Sequence, residues 1–253
     1  SVTTVSFDIF TTDGLMPLLY GCTTVISTEE ELRQPSLLAE LINREQIRYL
    51  QTTPSRMRIM MGDASFRGVV GALHKIVLAG EKIPLSLLKQ LKKYTKAQII
   101  NGYGPTETTV YSSFKDLTKT NVITIGRPIR NTQMYILDRY RRPLPIGVPG
   151  ELYISGAGVA RGYLNREELN REKFVPNPFV PGEVMYQTGD ICRFREDGEI
   201  EIYGRADHQV KIRGLRIELG EIEVQLRKIA GVRDAVVKTF DSGENEFLCA
   251  YYL

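Results

Sequence analysis

Asn101-Gly-Tyr-Gly-Pro-Thr-Glu107 gathers an aromatic ring, a Gly/Pro turn, a hydroxyl and a carboxylate in one short stretch. It follows the apolar run Ala97-Gln-Ile-Ile100, which reads as a buried strand. The carboxyl end of a strand is where open α/β sheets place ligands. Tyr103 offers a face to a planar ring, and Gly104 and Pro105 fix the turn. Thr106 reaches a phosphoryl oxygen, and Glu107 suits a hard cation such as Mg²⁺. Together they fit a nucleoside triphosphate. The plainer reading is a surface turn whose threonine caps the next segment.

Three further stretches bear on that choice. In Tyr186-Gln-Thr-Gly-Asp190 the aspartate can accept two hydrogen bonds from a ribose diol, each worth about 1.5–3 kcal/mol to a charged group; alternatively it closes an Asx turn. The segment Gly204–Glu223 alternates apolar Val210 and Ile212 with charged residues, as in a half-exposed strand. Its Arg205, Lys211, Arg213 and Arg216 offer cations to a phosphate, or form a solvated basic strand. Gly150–Leu164 is a strand followed by a Gly-rich turn, where glycine serves backbone shape; no G-x-x-x-x-G-K-[ST] loop occurs.

Four motifs in this order resemble the amino-acid adenylation domain of a non-ribosomal peptide synthetase, within the adenylate-forming enzyme superfamily, and the resemblance covers essentially the whole chain. Ser6-Phe-Asp8 matches the place where such domains hold an aspartate for the substrate's α-ammonium. Arg205-Ala-Asp207 and Ile217-Glu-Leu219 depart from acyl-CoA ligases, which usually carry Lys and Pro at the first acidic position and the leucine. The resemblance implies ATP and Mg²⁺ as cofactors, an α-amino acid substrate, and, as partners, a carrier-protein domain with its phosphopantetheine and the neighbouring synthetase domains. It implies catalytic roles for Thr106, Glu107, Arg205 and Lys211, with Glu107 on the metal. Nucleotide contacts fall to Gly80, Asn101, Tyr103, Asp190 and Arg205, with Tyr103 stacked on adenine. The substrate pocket maps onto Asp8, Ile9, Thr12, Gln51, Val77, Ala79, Gly102, Val110 and Tyr111. Beyond Asp8 that set holds no charge, Ala79 and Gly102 leave room, and Thr12, Gln51 and Tyr111 supply hydrogen bonds. An uncharged, polar side chain is therefore expected on the substrate. Asp207 falls at the family's hinge.

The family's phosphate loop and its C-terminal lysine have no counterpart between Ser1 and Leu253. An internal piece of the domain, inactive in adenylation by itself, is the expectation. Two other readings remain: a non-catalytic nucleotide-binding or interaction module that keeps the fold, and a stand-alone acyl or aryl acid ligase, which Asp8 and Asp207 disfavour.

The chemistry needs a scaffold. The 253 residues are 42% hydrophobic, enough for a substantial core. Net charge is +3 with both signs interspersed, so nucleic acid is not implied. No apolar run approaches a membrane span of about 18 residues, and no signal peptide is visible. Cys22, Cys192 and Cys249 lack metal-like spacing and read as reduced thiols of a cytoplasmic protein. His74 reads as a capping or surface residue, and with His208 it is too little for a histidine-based site.

The fold class expected is α/β, a partial adenylate-forming enzyme fold. Residues 1–113 form the αβ part of the large N-terminal subdomain. Strands are read at Thr23–Ser27, Ile47–Thr52, Lys75–Ala79 and Ala97–Ile100, and helices at Pro35–Gln46 and Pro84–Lys93. This alternation implies a mostly parallel sheet. Residues 114–206 form a β-rich, barrel-like subdomain, with strands at Gln133–Leu137 and Glu151–Ile154. Residues 207–253 begin a small α+β lid, incomplete at its end. It reads as strand Gln209–Ile212, helix Leu219–Ile229 and strands Asp234–Thr239 and Phe247–Tyr252.

Overall fold

The computed structural model describes residues 1–207, 209–212, 215–241 and 246–253. One five-stranded sheet runs β1 (Tyr49–Thr52), β2 (Lys75–Ala79), β3 (Gln98–Tyr103), β4 (Ser113–Asp116) and β5 (Arg127–Pro128), in that order. β1, β2 and β3 are parallel, and β4 and β5 add antiparallel. β2 is apolar on both faces because both are covered. Its Ile76 and Leu78 face a core built with Leu38, Leu41 and Ile42 of helix Pro35–Arg44 and Leu87, Leu88 and Leu91 of helix Leu85–Tyr94. Its Val77 and Ala79, on the opposite face by the two-residue period, meet Ile9, Val110 and Tyr111. The sheet thus divides a structural core from a second, smaller apolar cluster.

A second, all-antiparallel sheet has the order β10 (Ile200–Arg205), β9 (Val184–Phe194), β7 (Gly150–Gly156), β6 (Thr132–Leu137), with β8 (Phe174–Pro176) paired to β9. Its core gathers Met134, Ile136, Leu152, Ile154, Cys192 and Ile200, and it also takes in Tyr103 from the first sheet. The two sheets meet at a bridge between Gly126 and Ile200, where Ile200 N–H donates to the Gly126 carbonyl at 2.9 Å. Two ribbons follow: β11 (Gln209–Ile212) with β12 (Leu215–Glu218), and β13 (Ala235–Asp241) with β14 (Glu246–Tyr252). Helix Leu219–Leu226 lies between them in sequence.

The mixed α/β character and the separate β-rich sheet agree with the sequence reading. The first sheet, however, extends to Pro128. Thr23–Ser27 is not a strand: Thr24 Oγ1 donates to the Gly14 carbonyl and Ser27 N–H to that of Ser1, so local bonds replace a ladder. The helix from Pro35 stops at Arg44, just before Gln46 turns left-handed at φ +52°. Strand β3 runs on through Tyr103, which makes the first half of the Asn101–Glu107 motif part of the sheet. Helix Pro54–Gly62 was not anticipated; its Met57, Met60 and Met61 are buried. His74 is exposed, as expected; His208 lies outside the described residues. The three cysteines are unbridged, with Cys192 buried. No helix among the described residues is long and apolar enough to cross a membrane.

Gly126 sits at φ +76°, and a Cβ there would run into the Phe114 carbonyl. Gly126→Ala is expected to destabilise the joint between the sheets by at least about 1–3 kcal/mol. Urea denaturation checks this, and an unchanged midpoint would mean that the joint is not strained.

Candidate functional site

The site begins where β3 ends. Asn101 and Tyr103 share the face of β3 that carries Ile99, and at its carboxyl end Tyr103 joins the core of the second sheet. Asn101 is buried and its Nδ2 donates to the Thr124 carbonyl at 2.7 Å, so its amide braces the sheet joint. Tyr103 is 8% exposed, and its hydroxyl donates to Asp190 Oδ2 at 2.5 Å across 87 residues of sequence. Burial first, and the Asp190 charge second, push the Tyr103 phenol well above its ordinary value, so it keeps its proton and donates it to Asp190. Arg205 Nη1 donates to the other Asp190 oxygen at 2.9 Å. The same guanidinium grips Asp207 through Nε and Nη2, both at 2.7 Å. Gly189, at φ +77°, makes this possible: a Cβ there would lie 2.7 Å from Arg205 Nη2 and 2.8 Å from Asp207 Oδ2.

Glu107 lies in a short 3₁₀ turn, Thr106–Thr108, and is 7% exposed. Its Oε1 accepts from the Tyr163 hydroxyl at 2.5 Å, and Arg216 Nη1 donates to Oε1 and Oε2 at 2.7 and 2.8 Å. Arg216 Nη2 also reaches the Tyr186 hydroxyl at 3.4 Å. Burial pushes the Glu107 carboxyl up, but the Tyr163 hydrogen bond and the Arg216 charge outweigh it, and the group sits below its usual range. The Gly-rich turn after β7 supports this residue from behind. Ala160 N–H donates to the Glu107 carbonyl at 2.8 Å, and Thr109 Oγ1 donates to the Gly158 carbonyl at 2.7 Å.

Tyr103, Glu107 and Asp190 therefore converge on one seam between the sheets. Thr106 extends it: its hydroxyl donates to Asp8 Oδ2 at 2.6 Å, bringing residues 98 apart into contact. The two residues expected to hold the substrate's ammonium and the phosphate are direct neighbours.

The side-chain pocket residues also assemble. Thr109 and Val110 are left-handed, at φ +62° and +67°, rare for β-branched residues. This bend swings Tyr111 back over β3, so that a Cβ on Gly102 would lie 2.6 Å from its ring. Gly102 was expected to leave room for a substrate; instead, the Tyr111 ring fills that space. Ile9, Val77, Ala79, Val110 and Tyr111 form one buried cluster. Gln51 Nε2 donates to Thr12 Oγ1 at 3.0 Å, and the Tyr49 hydroxyl donates to Gln51 Oε1 at 2.8 Å. Gly80 ends this face at φ +86° with only Thr53 near it.

Tyr49, Asp13, Tyr163 and Tyr186 were not among the candidates from sequence. Asp13 is buried and accepts from Val2 N–H at 3.2 Å. Burial and, after it, the Asp13 charge push the Tyr49 phenol up to about 12. The set that seemed uncharged apart from Asp8 thus has a second carboxylate behind it. Tyr163 and Tyr186 did stand inside quoted motifs. Lys211 is on β11 opposite Arg216; its side chain, like Arg213 as a whole, lies outside the described residues.

Comparison with known proteins gives this arrangement a context. The AMP-binding enzyme family matches residues 1–164. Gramicidin S synthase 2 of Aneurinibacillus migulanus is 43% identical over 249 residues, covering 97% of this chain and 6% of that protein. Among solved structures, a four-domain nonribosomal peptide synthetase, holo-AB3403, bound to AMP and glycine, is 40% identical with a TM-score of 0.76; the match covers 99% of this chain and 19% of that one. An artificially fused adenylation–PCP di-domain, NpsA-ThdA from Klebsiella oxytoca, is 25% identical with a TM-score of 0.83, covering 99% of this chain and 47% of that one. This chain is thus similar to less than half the length of each.

The carboxylates set an acid limit. Glu107 and Asp207 are held below their ordinary values of 4.5 and 3.8. The unfolded chain then binds more protons than the folded one as acid is added, so stability rises with pH in that window. Both contributions are fully present above those ordinary values and are lost as pH falls through the lower folded ones. Urea midpoints followed from pH 7 to 3 should fall less steeply for Glu107→Gln than for the unaltered protein. Parallel profiles would show that Glu107 is not held ionised.

Proposed function

Because this chain belongs to the AMP-binding enzyme family, we propose that it forms part of an adenylation domain. That domain activates an α-amino acid with ATP to an aminoacyl-AMP and passes it to the phosphopantetheine thiol of a carrier domain. The observation that carries this reading is the seam: Tyr103, Asp190 and Glu107 from separate motifs, next to the Asp8–Thr106 contact at 2.6 Å. The similarity to multidomain synthetases supports the carrier and neighbouring synthetase domains as partners.

In this reading Asp8 binds the substrate ammonium, a buried charge that needs a partner. Thr106 contacts the phosphate beside it, so carboxylate and α-phosphate are brought together by residues already in contact. Asp190 takes the ribose diol, with Arg205 fixing its second oxygen, and Tyr103 supplies an aromatic surface for adenine. Asn101 and Gly80 shape the walls. Ile9, Thr12, Gln51, Val77, Ala79, Gly102, Val110 and Tyr111 form the side-chain pocket, and the Tyr111 ring must lie elsewhere when a large side chain enters. Glu107 fits a hard cation: it is a buried carboxylate held below its usual range, and Mg²⁺ is typically held by one or two carboxylates plus substrate phosphates. Mg²⁺, when bound, neutralises charge on the phosphates as pyrophosphate leaves. Arg216 must give up its place on Glu107 for this. Lys211 belongs to the same ribbon and serves with it. Asp207 is the hinge between a body, residues 1–113 with 114–206, and the lid, 207–253.

The longest naturally encoded form of this protein should catalyse amino-acid-dependent exchange of pyrophosphate into ATP. Asp190→Asn should raise the KM for ATP roughly tenfold or more, the scale of one hydrogen bond to a charged group. Absence of exchange with every amino acid offered would defeat the proposal.

A further inference from the structure

Tyr163 lies in the Gly-rich turn, a segment to which the proposed chemistry assigns nothing. From its geometry we infer that Tyr163, locked by Asn170, is a positioning residue that fixes the Glu107 carboxylate for a divalent cation. The inference rests on the proposed nucleotide-binding reading and adds two residues to it.

Glu107 has two strong partners of different kinds. Arg216 comes from the β11–β12 ribbon, on the far side of Asp207 in sequence. Tyr163 comes from the body and belongs to the turn that already binds the Glu107 backbone through Ala160. Its hydroxyl bonds Oε1, whereas Oε2 is the oxygen that Arg216 gives up when it moves away. A carboxylate with one oxygen fixed by a neutral donor presents the other oxygen in a set direction. A metal ligand needs that orientation.

The tyrosine is itself held at both ends. Asn170, in helix Glu167–Lys173, accepts from Tyr163 N–H at 2.6 Å and donates to the Tyr163 carbonyl at 2.9 Å. Gly162 is at φ +127°, where a Cβ would lie 2.8 Å from Asn170 Oδ1, so the side-chain amide lies flat on the turn. The Tyr163 ring meets Phe174 edge-on at 5.4 Å, and its hydroxyl is 3.3 Å from that of Tyr186. A tyrosine needed only for packing would not require two hydrogen bonds to its backbone and a third from its hydroxyl to a buried carboxylate.

The test uses Mn²⁺ and a non-hydrolysable ATP analogue with the longest naturally encoded form of the protein. Bound Mn²⁺ is counted by electron paramagnetic resonance, and analogue binding without metal by equilibrium dialysis in chelator. Tyr163→Phe should weaken Mn²⁺ binding in the presence of analogue about 10- to 100-fold, the value of a hydrogen bond to a charged group, while metal-free analogue binding stays unchanged. Asn170→Ala, which leaves the hydroxyl in place, should weaken Mn²⁺ binding in the same direction by less. It serves as the second variant if Tyr163→Phe does not fold. Equal Mn²⁺ binding by both variants and the unaltered protein overturns the inference. So does an equal loss of metal-free and metal-dependent binding, which would mark a merely structural role. If the unaltered protein binds no analogue with or without Mn²⁺, the nucleotide reading fails, and the inference with it.

Discussion

Two buried carboxylates, Asp190 and Glu107, have to be partnered at the seam between two sheets. Burying an unpaired carboxylate is costly. The chain solves both cases in the same way, with one tyrosine hydroxyl and one arginine each. Asp190 has Tyr103 and Arg205; Glu107 has Tyr163 and Arg216. Each set draws on distant parts of the sequence, so the charges can be held only if both sheets and the ribbon assemble. The backbone adapts to this demand. Gly189 yields its Cβ to the Arg205–Asp207 pair, and the left-handed bend at Thr109 and Val110 turns the chain just after Glu107. Strain of this kind persists where surrounding contacts over-determine it, and here Thr109 is bonded to the Gly158 carbonyl.

The elements that carry the site were readable because their periodicity is plain. β2 was recognised at its true limits, and the helices at Pro35 and Leu85 within two residues of their ends. Helix Pro54–Gly62 was missed for a physical reason. Apart from Pro54 its buried residues are methionines, interrupted by Arg58 and Ile59, and its amphipathic contrast is weak. Thr23–Ser27 misled because β-branched residues favour strands only where a neighbour offers a ladder. In the site, the two carboxylates, Tyr103 and Arg205 were legible from motif chemistry. Their partnerships were not, since bonds spanning 87 or 109 residues leave no trace in local spacing. Tyr111 shows the same limit: its type was noted, but the bend that lays it over Gly102 depends on backbone angles no residue type announces.

The placing of the two arginines gives the seam a direction. Asp207 separates them in sequence: Arg205 ends β10 in the second sheet, and Arg216 sits in the β11–β12 ribbon. If the ribbon turns about Asp207, as proposed, Asp190 keeps both its partners and Glu107 loses one. The buried carboxylate left with neutral tyrosine partners is then short of positive charge, and in the proposed reading a cation with its polyphosphate supplies what Arg216 removed. On this argument the ion pair between Arg216 and Glu107 does more than stabilise a resting shape. It helps hold the carboxylate below its usual range, which under the proposed function would leave an ionised ligand for the cation. In the proposed reading the arginine and a metal share one carboxylate in turn, and a hinge at Asp207, between the two arginines, sets which of them holds it.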